Sequence, residues 1–262
     1  MRYELARRLS QSTVFLQAYL TGIIHKLTLN FAKIHSHQHC YLCHQHSLKL
    51  VCHYCFDNLA QTNFGQHRLS RLDLLRNPAV LLHLDEPNYD HLYAIENYSW
   101  PLDRLVLDMK FANKPIAARV LVNFFMHFVF TPFMQSSNPG AVQDAPQLLV
   151  PVPLSNKRYW ERNYNQAQLL CDWLTKATHI PNKAIVKRVK HTLAQSELDK
   201  QKRIENVQNA FECHSNLELD HIAIVDDVIT TGVTINAVCS AIKKRKPSIK
   251  ISVWTMAVTL LN

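Results

Sequence analysis

The chain has 262 residues, of which 47% are hydrophobic and 19% are charged, so it can bury a proper core and is not a disordered chain. This length suits one large domain or two smaller ones. The formal net charge of +9 favours an anionic partner, such as nucleic acid, a phosphorylated small molecule or an acidic surface. A basic protein with a merely solvated surface is the alternative.

The first 35 residues predict a helical extension. A charged start precedes an apolar stretch, but the polar residues Gln17 and Thr21 interrupt it and no clean cleavage site follows. We therefore predict an amphipathic helix and a cytoplasmic protein, with a helix lying on a membrane surface as the alternative. The apolar run at 120–130 is shorter than the roughly 20 residues of a spanning helix. It predicts a buried helix and no transmembrane segment.

Residues 36–64 contain two C-x2-C pairs, formed by Cys40, Cys43, Cys52 and Cys55. Each pair directs two sulfurs at one metal ion, and four thiolates suit tetrahedral zinc. The spacer between the pairs is short, but a tight hairpin can close it. Two disulfides or an iron–sulfur cluster are the alternatives, and the lack of a convincing export signal argues against disulfides. We predict a structural zinc knuckle over 36–64 and a second domain over 65–262.

From about residue 90 onward, predicted strands alternate with predicted helices. The strands are predicted at 91–99, 147–154, 184–190, 222–228 and 250–260, and the helices from Pro101 onward, at 165–178 and at 234–245. This alternation argues for an α/β fold in which a parallel sheet is covered by helices on both faces.

The stretch IAIVDDVITTGVT, residues 222–234, runs from a strand through two carboxylates into a Thr-Thr-Gly turn. Asp226 and Asp227 would emerge at the carboxyl end of the strand, where ligands bind in open α/β sheets. Adjacent carboxylates repel each other unless they meet hydroxyls or a metal. The turn offers backbone N–H groups and hydroxyls to a phosphate, and Gly232 permits close approach. A ribose 5-phosphate would satisfy both ends; a simple helix cap is the alternative.

This stretch resembles the motif with which type I phosphoribosyltransferases bind phosphoribosyl pyrophosphate (PRPP). The resemblance implies that Asp226 and Asp227 hold the 2- and 3-hydroxyls of the ribose, and that Mg²⁺ enters with the pyrophosphate. The residues implied to bind the 5-phosphate or to form its turn are Thr230, Thr231, Gly232, Val233 and Thr234.

Three further stretches resemble segments of the ComF family, also called competence protein F or GntX-like. They are YSWPLDRLVLDMKF (98–111), VPVPLSNKRYWERNYNQAQLL (150–170) and KRVKHTLAQSELDKQKRIENVQNAF (187–211). The four-cysteine knuckle is similar as well, so the resemblance covers residues 36–262. It implies a type I phosphoribosyltransferase fold, a parallel sheet flanked by helices, with a small N-terminal zinc-binding module.

The ComF resemblance also implies which residues surround the ligand. The residues of the pyrophosphate loop and of a flexible hood are Lys157, Arg158, Arg162, Asn165, Gln166, Arg188, Thr192, Gln195, Arg203 and Asn206. A charged hood can exclude water when it closes; an exposed loop and a solvated linker are the alternatives. Lys110 also matches the family, with a weaker case for ligand contact. Asn163 stands where the family often has glycine, and asparagine tolerates the left-handed conformation there.

The resemblance implies a ComF-type competence protein that assists natural transformation or the use of external DNA, with structural Zn²⁺ and with Mg²⁺ accompanying PRPP or a related phosphosugar. Turnover is left open: an active enzyme would be phosphoribosyltransferase-like, of the glycosyltransferase class, with an unknown acceptor. A single-stranded-DNA-binding adaptor without turnover and a conventional nucleotide-salvage phosphoribosyltransferase are the alternatives. Competence or helicase proteins are the expected protein partners. The KKRK stretch at 243–246 adds to the positive charge expected to meet DNA.

Overall fold

The computed structural model describes residues 39–61, 73–135, 145–189 and 210–259. The chain divides into two compact units, Met1–Asn58 and Leu59–Asn262. The helical extension predicted over residues 1–35 lies outside the described residues, and the predicted boundaries of the cysteine module stay predictions.

The described part of the first unit is a tight cysteine-bearing hairpin. The backbone N–H of Cys40 donates to the carbonyl of Gln45 at 2.7 Å, and the N–H of His44 donates back to Cys40 at 2.9 Å. His44 adopts the left-handed conformation that this turn requires, with φ at 59°. The N–H of Tyr41 then reaches the carbonyl of Leu50 at 2.9 Å. The short spacer between the cysteine pairs is therefore closed by a hairpin, as the sequence predicted.

The helices of the described residues alternate with strands along most of the chain. They are α1 (His53–Gln61), α2 (Pro78–Leu81), α3 (Leu102–Phe111), α4 (Ile116–Phe125), α5 (Thr131–Gln135), α6 (Asn156–Arg162), α7 (Gln166–Thr178) and α8 (Val233–Lys243), with a 3₁₀ turn at Leu74–Arg76 and a π-helical turn at Met126–Phe130. The strands are β1 (His91–Asn97), β2 (Leu149–Pro151), β3 (Val186–Arg188), β4 (Phe211–Cys213), β5 (His221–Ile229) and β6 (Lys250–Val258). This order confirms the predicted α/β class.

A parallel four-stranded sheet with the strand order β1-β6-β5-β2 forms the centre of the second unit. Asp226 of β5 is in register with Thr255 of β6, and Val225 is in register with Pro151 of β2. Because all four strands are parallel, their carboxyl ends meet at one edge of the sheet. That edge is where the predicted site residues of β5 lie.

Helices flank the sheet. On one face α7 packs against β2 and β5, and α4 packs against α7, β1 and β6. On the other, Ile224 and Val253 of the sheet share a buried cluster with Ile235 and Val238 of α8. The apolar run at 222–225 of β5 follows from this double coverage, because a strand segment buried on both faces has no solvent side.

The strand predicted at 184–190 is present only as the short β3, and it does not join the parallel sheet. It pairs antiparallel with β4, a strand that the sequence did not predict. Lys187 faces Glu212 across this pair with an Nζ–Oε2 distance of 3.4 Å, and both side chains are half-exposed. This charged and exposed face explains why β3 is not a strand of the buried sheet.

The buried helix predicted at 120–130 is longer than expected, because α4, the π-helical turn and α5 form one continuous helix from Ile116 to Gln135. Among the described residues this helix alone is long and apolar enough to cross a membrane by length and composition. However, 56% of its most apolar window is buried inside the protein, and Phe124 and Phe125 are almost fully buried. This burial is the pattern of a core helix.

Candidate functional site

Two adjacent carboxylates lie near the carboxyl end of β5. Asp227 is buried with 6% of its surface exposed, and Asp226 is partly exposed. The backbone N–H of Asp227 donates to Oδ1 of Asp226 at 2.9 Å. Although part of the Asp226 residue is exposed, the surrounding protein desolvates its carboxyl group. This desolvation, and secondarily the charge of Asp227, raise the pKa of Asp226 to about 7, although that N–H, Lys110 and Arg158 act in the opposite direction. Strongly perturbed carboxyls at a sheet edge are typical of functional sites.

The raised pKa of Asp226 should make the stability of the second unit depend on pH. Above the ordinary pKa of 3.8 the unfolded chain releases the Asp226 proton, whereas the folded protein keeps it up to about pH 7. Proton binding therefore favours the folded state, and this contribution to the free energy of unfolding is lost as the pH rises through about 7. Asp226→Asn has no such proton, so its stability relative to the natural protein should rise between about pH 4 and pH 7, by at most about 1.4 kcal/mol per pH unit, and should level off above this range. Urea unfolding across this range measures the difference, and parallel curves for the two proteins would contradict it.

Lys110 reaches the carboxylate pair from the last turn of α3. Its Nζ lies 2.8 Å from Oδ1 of Asp227, and the two side chains are only 21% and 9% exposed. Lys110 was predicted with a weaker case for ligand contact than the other basic residues, yet it is the one whose side chain forms an ion pair with the carboxylates among the described residues. The signal was present in YSWPLDRLVLDMKF, where Lys110 lies in the last turn of an amphipathic helix.

The predicted phosphate turn follows the pair and opens α8. Gly232 is the N-cap residue of α8 and takes a left-handed conformation with φ at 79°, and no side chain among the described residues caps the helix. Thr230 and Thr231 are exposed, whereas Val233 and Thr234 are half-buried. The first backbone N–H groups of α8 therefore remain available, and such groups bind anions well.

The segment before β1, at 84–85, contacts this turn and the first turn of α8. The N–H of Asp85 donates to the carbonyl of Thr231 at 2.9 Å, and the side-chain amide of Asn236 donates to the carbonyl of Asp85. A side chain added at Gly232 would meet Leu84 at 3.4 Å. The turn is thus held by contacts that are distant in sequence, which leaves its own N–H groups free to face a ligand.

The connection between α6 and α7 carries three of the predicted ligand contacts, and the structure shows them in protein contacts. Asn165 caps α7 by accepting the N–H of Ala167 at 3.0 Å, and its amide donates to the carbonyl of Val152 at 3.0 Å. Arg162 donates to Oε1 of Gln166 at 3.1 Å, and Gln166 is almost fully buried. Their contact with a ligand stays a prediction.

The left-handed conformation expected at Asn163 is confirmed, because this residue ends α6 with φ at 63°. Its N–H donates to the carbonyl of Tyr159 at 2.7 Å, which closes the last turn of α6. Asparagine in place of glycine therefore preserves the turn.

The remaining basic residues of the prediction are placed in part. Arg158 is exposed on the first turn of α6, and its charge acts on Asp226. The pKa of Arg162 is lowered by burial and by Arg158, whereas the charge of Asp227 raises it. Arg188 of β3 stacks over the ring of Phe211 of β4, with its guanidinium carbon 5.3 Å from the ring centre. The side chain of Lys157, and all of Thr192, Gln195, Arg203 and Asn206, lie outside the described residues.

The four cysteines of the first unit lie together, with all four sulfurs within 4.8 Å of one another. The sulfurs of Cys43 and Cys52 are 3.7 Å apart, close to the roughly 3.8 Å between thiolates bound to one zinc ion at about 2.3 Å. Burial acts to raise the pKa of Cys40, but backbone N–H groups outweigh it and lower the value to about 7. Burial raises the pKa values of Cys52 and Cys55. This cluster can hold a metal ion such as zinc.

These features define an α/β protein that carries a carboxylate pair and an uncapped turn at the carboxyl edge of its sheet, together with a four-cysteine unit. The chain is 36% identical over 176 residues to competence protein F of Haemophilus influenzae, an alignment covering 66% of this chain and 74% of that protein. It is 31% identical over 178 residues to the DNA utilization protein YhgH of Salmonella typhimurium, with the same coverage. Competence protein ComFC of Bacillus subtilis is 29% identical over 114 residues, which are 42% of this chain and 43% of that protein.

No family model matches the chain. The similarity to competence protein F nevertheless covers about three quarters of that relative. The chain therefore belongs to the ComF family, and the resemblance inferred from its sequence motifs is confirmed.

Proposed function

We propose that this protein serves the use of external DNA, and that its second unit binds PRPP, or a related phosphosugar, together with Mg²⁺. The names of the relatives, competence protein F and DNA utilization protein, support the first part. The second part is carried by one observation: the Asp226–Asp227 pair of β5 leads directly into the uncapped turn at Gly232. Carboxylates suit ribose hydroxyls, and the turn suits a 5-phosphate.

The basic side chains around the pair suit the pyrophosphate of the same ligand. Arg158 and Arg162 act electrostatically on the carboxylates from α6, and Lys110 contacts Asp227. In a transfer reaction the bond between the anomeric carbon and pyrophosphate breaks, and these cations would stabilise the negative charge of the leaving group. The reaction would then be of the phosphoribosyltransferase class.

The first unit supports a structural zinc ion. Its four clustered sulfurs offer the tetrahedral donor set that zinc prefers, and the backbone N–H groups around Cys40 favour the thiolate. Thiolates remain available for metal binding in the reducing cytoplasm, which is the location that we propose.

A second candidate function, a single-stranded-DNA-binding adaptor, is favoured by exposed aromatic residues beside the basic side chains. Trp160 and Tyr159 on α6 are 80% and 49% exposed, and Phe111 at the end of α3 is 71% exposed. Arg162 stacks over Phe111 at 5.2 Å. Aromatic rings next to cations provide base stacking and phosphate neutralisation together. Competence and helicase proteins are the partners proposed for such an adaptor.

The KKRK stretch contributes less to this surface than the sequence suggested. Lys243 donates to Asn88 at 3.3 Å, Lys246 pairs with Asp220 at 2.7 Å, and Arg245 donates to the carbonyl of Cys213 at 3.2 Å. These residues lie at the end of α8, and Asp220 immediately precedes β5 at its amino end. Their contacts therefore belong to the edge of the sheet opposite the carboxylate pair.

Trp160→Ala should weaken binding of single-stranded DNA by about tenfold, because stacking contributes about 1–3 kcal/mol per base. The natural protein should prefer single strands over duplex, since only unpaired bases offer open faces, and binding should weaken steeply with added salt. Fluorescence anisotropy of labelled oligonucleotides measures both effects, with the equally exposed Leu82→Ala as control.

Competition between PRPP and DNA for the protein distinguishes the two candidate functions. DNA held only by the phosphate-binding groups should be displaced by PRPP and should show no strand preference. DNA held by stacking should keep its strand preference at matched salt. Equal affinity for single and double strands across a salt series would reject the adaptor function, and PRPP binding would remain as the better explanation.

A further inference from the structure

The last turn of α3 is attached to the connection between α6 and α7. The hydroxyl of Tyr164 donates to the backbone carbonyl of Met109, and the guanidinium of Arg162 stacks over the ring of Phe111 at 5.2 Å. Met109 itself is fully buried. Lys110 lies between these two anchored residues, so its backbone position is fixed from both sides.

The attachment determines where the Lys110 ammonium is. Its Nζ lies 2.8 Å from Asp227, and 21% of the lysine side chain is exposed. A second lysine just beyond the same helix, Lys114, pairs instead with Asp108 at 3.2 Å and is 46% exposed. Because the Lys110–Asp227 ion pair is mostly buried, solvent screens it less than it screens a surface pair. The Lys110–Asp227 pair includes a carboxylate of the candidate site, whereas the Lys114–Asp108 pair does not.

We propose that Lys110 positions the Asp226–Asp227 pair for the ribose of the ligand, and that Tyr164 and Arg162 hold Lys110 in place. This inference rests on the PRPP binding proposed above and deepens it. It gives Arg162 a role through α3, in addition to the contact that the sequence predicted.

The physical reason is the mutual repulsion of two neighbouring carboxylates. An ammonium at 2.8 Å from one of them offsets this repulsion and orients the carboxylate, so that its other lone pairs can accept ribose hydroxyls. The Lys110 charge also lowers the pKa of Asp226. The titratable and charged groups whose interactions reach the pair are Tyr98, Lys110, Arg158, Arg162 and Cys171.

The test is titration of PRPP with Mg²⁺ into the natural protein, Lys110→Gln, Lys110→Arg and Tyr164→Phe, each at about pH 6 and about pH 8.5. Removing an adjacent opposite charge shifts a carboxyl pKa by one unit or more. Lys110→Gln should therefore lose about tenfold in affinity at the lower pH and less at the higher pH. Lys110→Arg should recover most of the loss, and Tyr164→Phe should show the same pH trend with a smaller loss.

Lys114→Gln is the matched control and should bind PRPP like the natural protein at both pH values. A Lys110→Gln protein that binds normally, or that loses the same factor at every pH without recovery in Lys110→Arg, overturns the inference. NMR titration of the Asp226 carboxyl without ligand measures its pKa independently of PRPP binding. The midpoint of this titration should move to higher pH in Lys110→Gln, and an unchanged midpoint also overturns the inference. Failure of the natural protein to bind PRPP overturns the proposed function instead.

Discussion

Asp227→Asn should reduce PRPP binding by at least about tenfold while the fold survives. The amide keeps the shape of the side chain but removes the charge that accepts ribose hydroxyls, and each charge-assisted hydrogen bond is worth about 1.5–3 kcal/mol. The loss also leaves Lys110 without its partner at 2.8 Å. Isothermal titration with Mg²⁺ measures the affinity, and circular dichroism reports whether the sheet is intact.

Asp220→Asn is a suitable control, because Asp220 lies just before the other end of β5. Its side chain is 89% exposed and pairs with Lys246 at 2.7 Å. This variant should bind PRPP like the natural protein. Equal affinities for Asp227→Asn and Asp220→Asn would reject the assignment of the carboxylate pair to ribose.

Cys43→Ser should release the metal and unfold the cysteine hairpin. Natural protein prepared under reducing conditions without chelators should contain about one zinc ion per chain. Structural zinc sites contribute an apparent binding free energy of about 10–16 kcal/mol at neutral pH, so loss of one thiolate removes much of the stability of a small module. Metal analysis and hydrogen exchange over the Cys40–Cys55 hairpin measure the two effects.

Cys213→Ser provides the contrast, because Cys213 is buried on β4 outside the cluster. It should keep its zinc even if the second unit loses some stability. Less than half an equivalent of metal in the natural protein, or disulfides between the four cysteines by mass spectrometry, would contradict the zinc assignment.

The features that could be predicted from the sequence are those whose chemistry is local. The stretch around Asp226 and Asp227 combines a buried strand, two acids and a glycine turn within thirteen residues, and each of these features can be recognised from neighbouring residues alone. The two C-x2-C pairs are equally local. Helix α7 was predicted within one residue, because apolar residues recur at helical spacing along this stretch.

The features that were missed depend on contacts between distant parts of the chain. Strand β4 has three residues and pairs with β3, which lies more than twenty residues earlier, so neither periodicity nor length distinguishes it. Lys110 meets Asp227 only after α3 has packed against α4 in the folded protein. The capping role of Asn165 could be inferred from its position before α7, whereas its bond to Val152 could not.

The most direct test of PRPP binding by the second unit is a titration of PRPP into the zinc-loaded natural protein, with and without Mg²⁺. We expect saturable binding at one site per chain, stronger with Mg²⁺ because the ion enters with the pyrophosphate. Asp226→Asn and Asp227→Asn should weaken this binding. Absence of binding by folded, zinc-loaded protein at millimolar PRPP with Mg²⁺ would contradict the proposed function of the site.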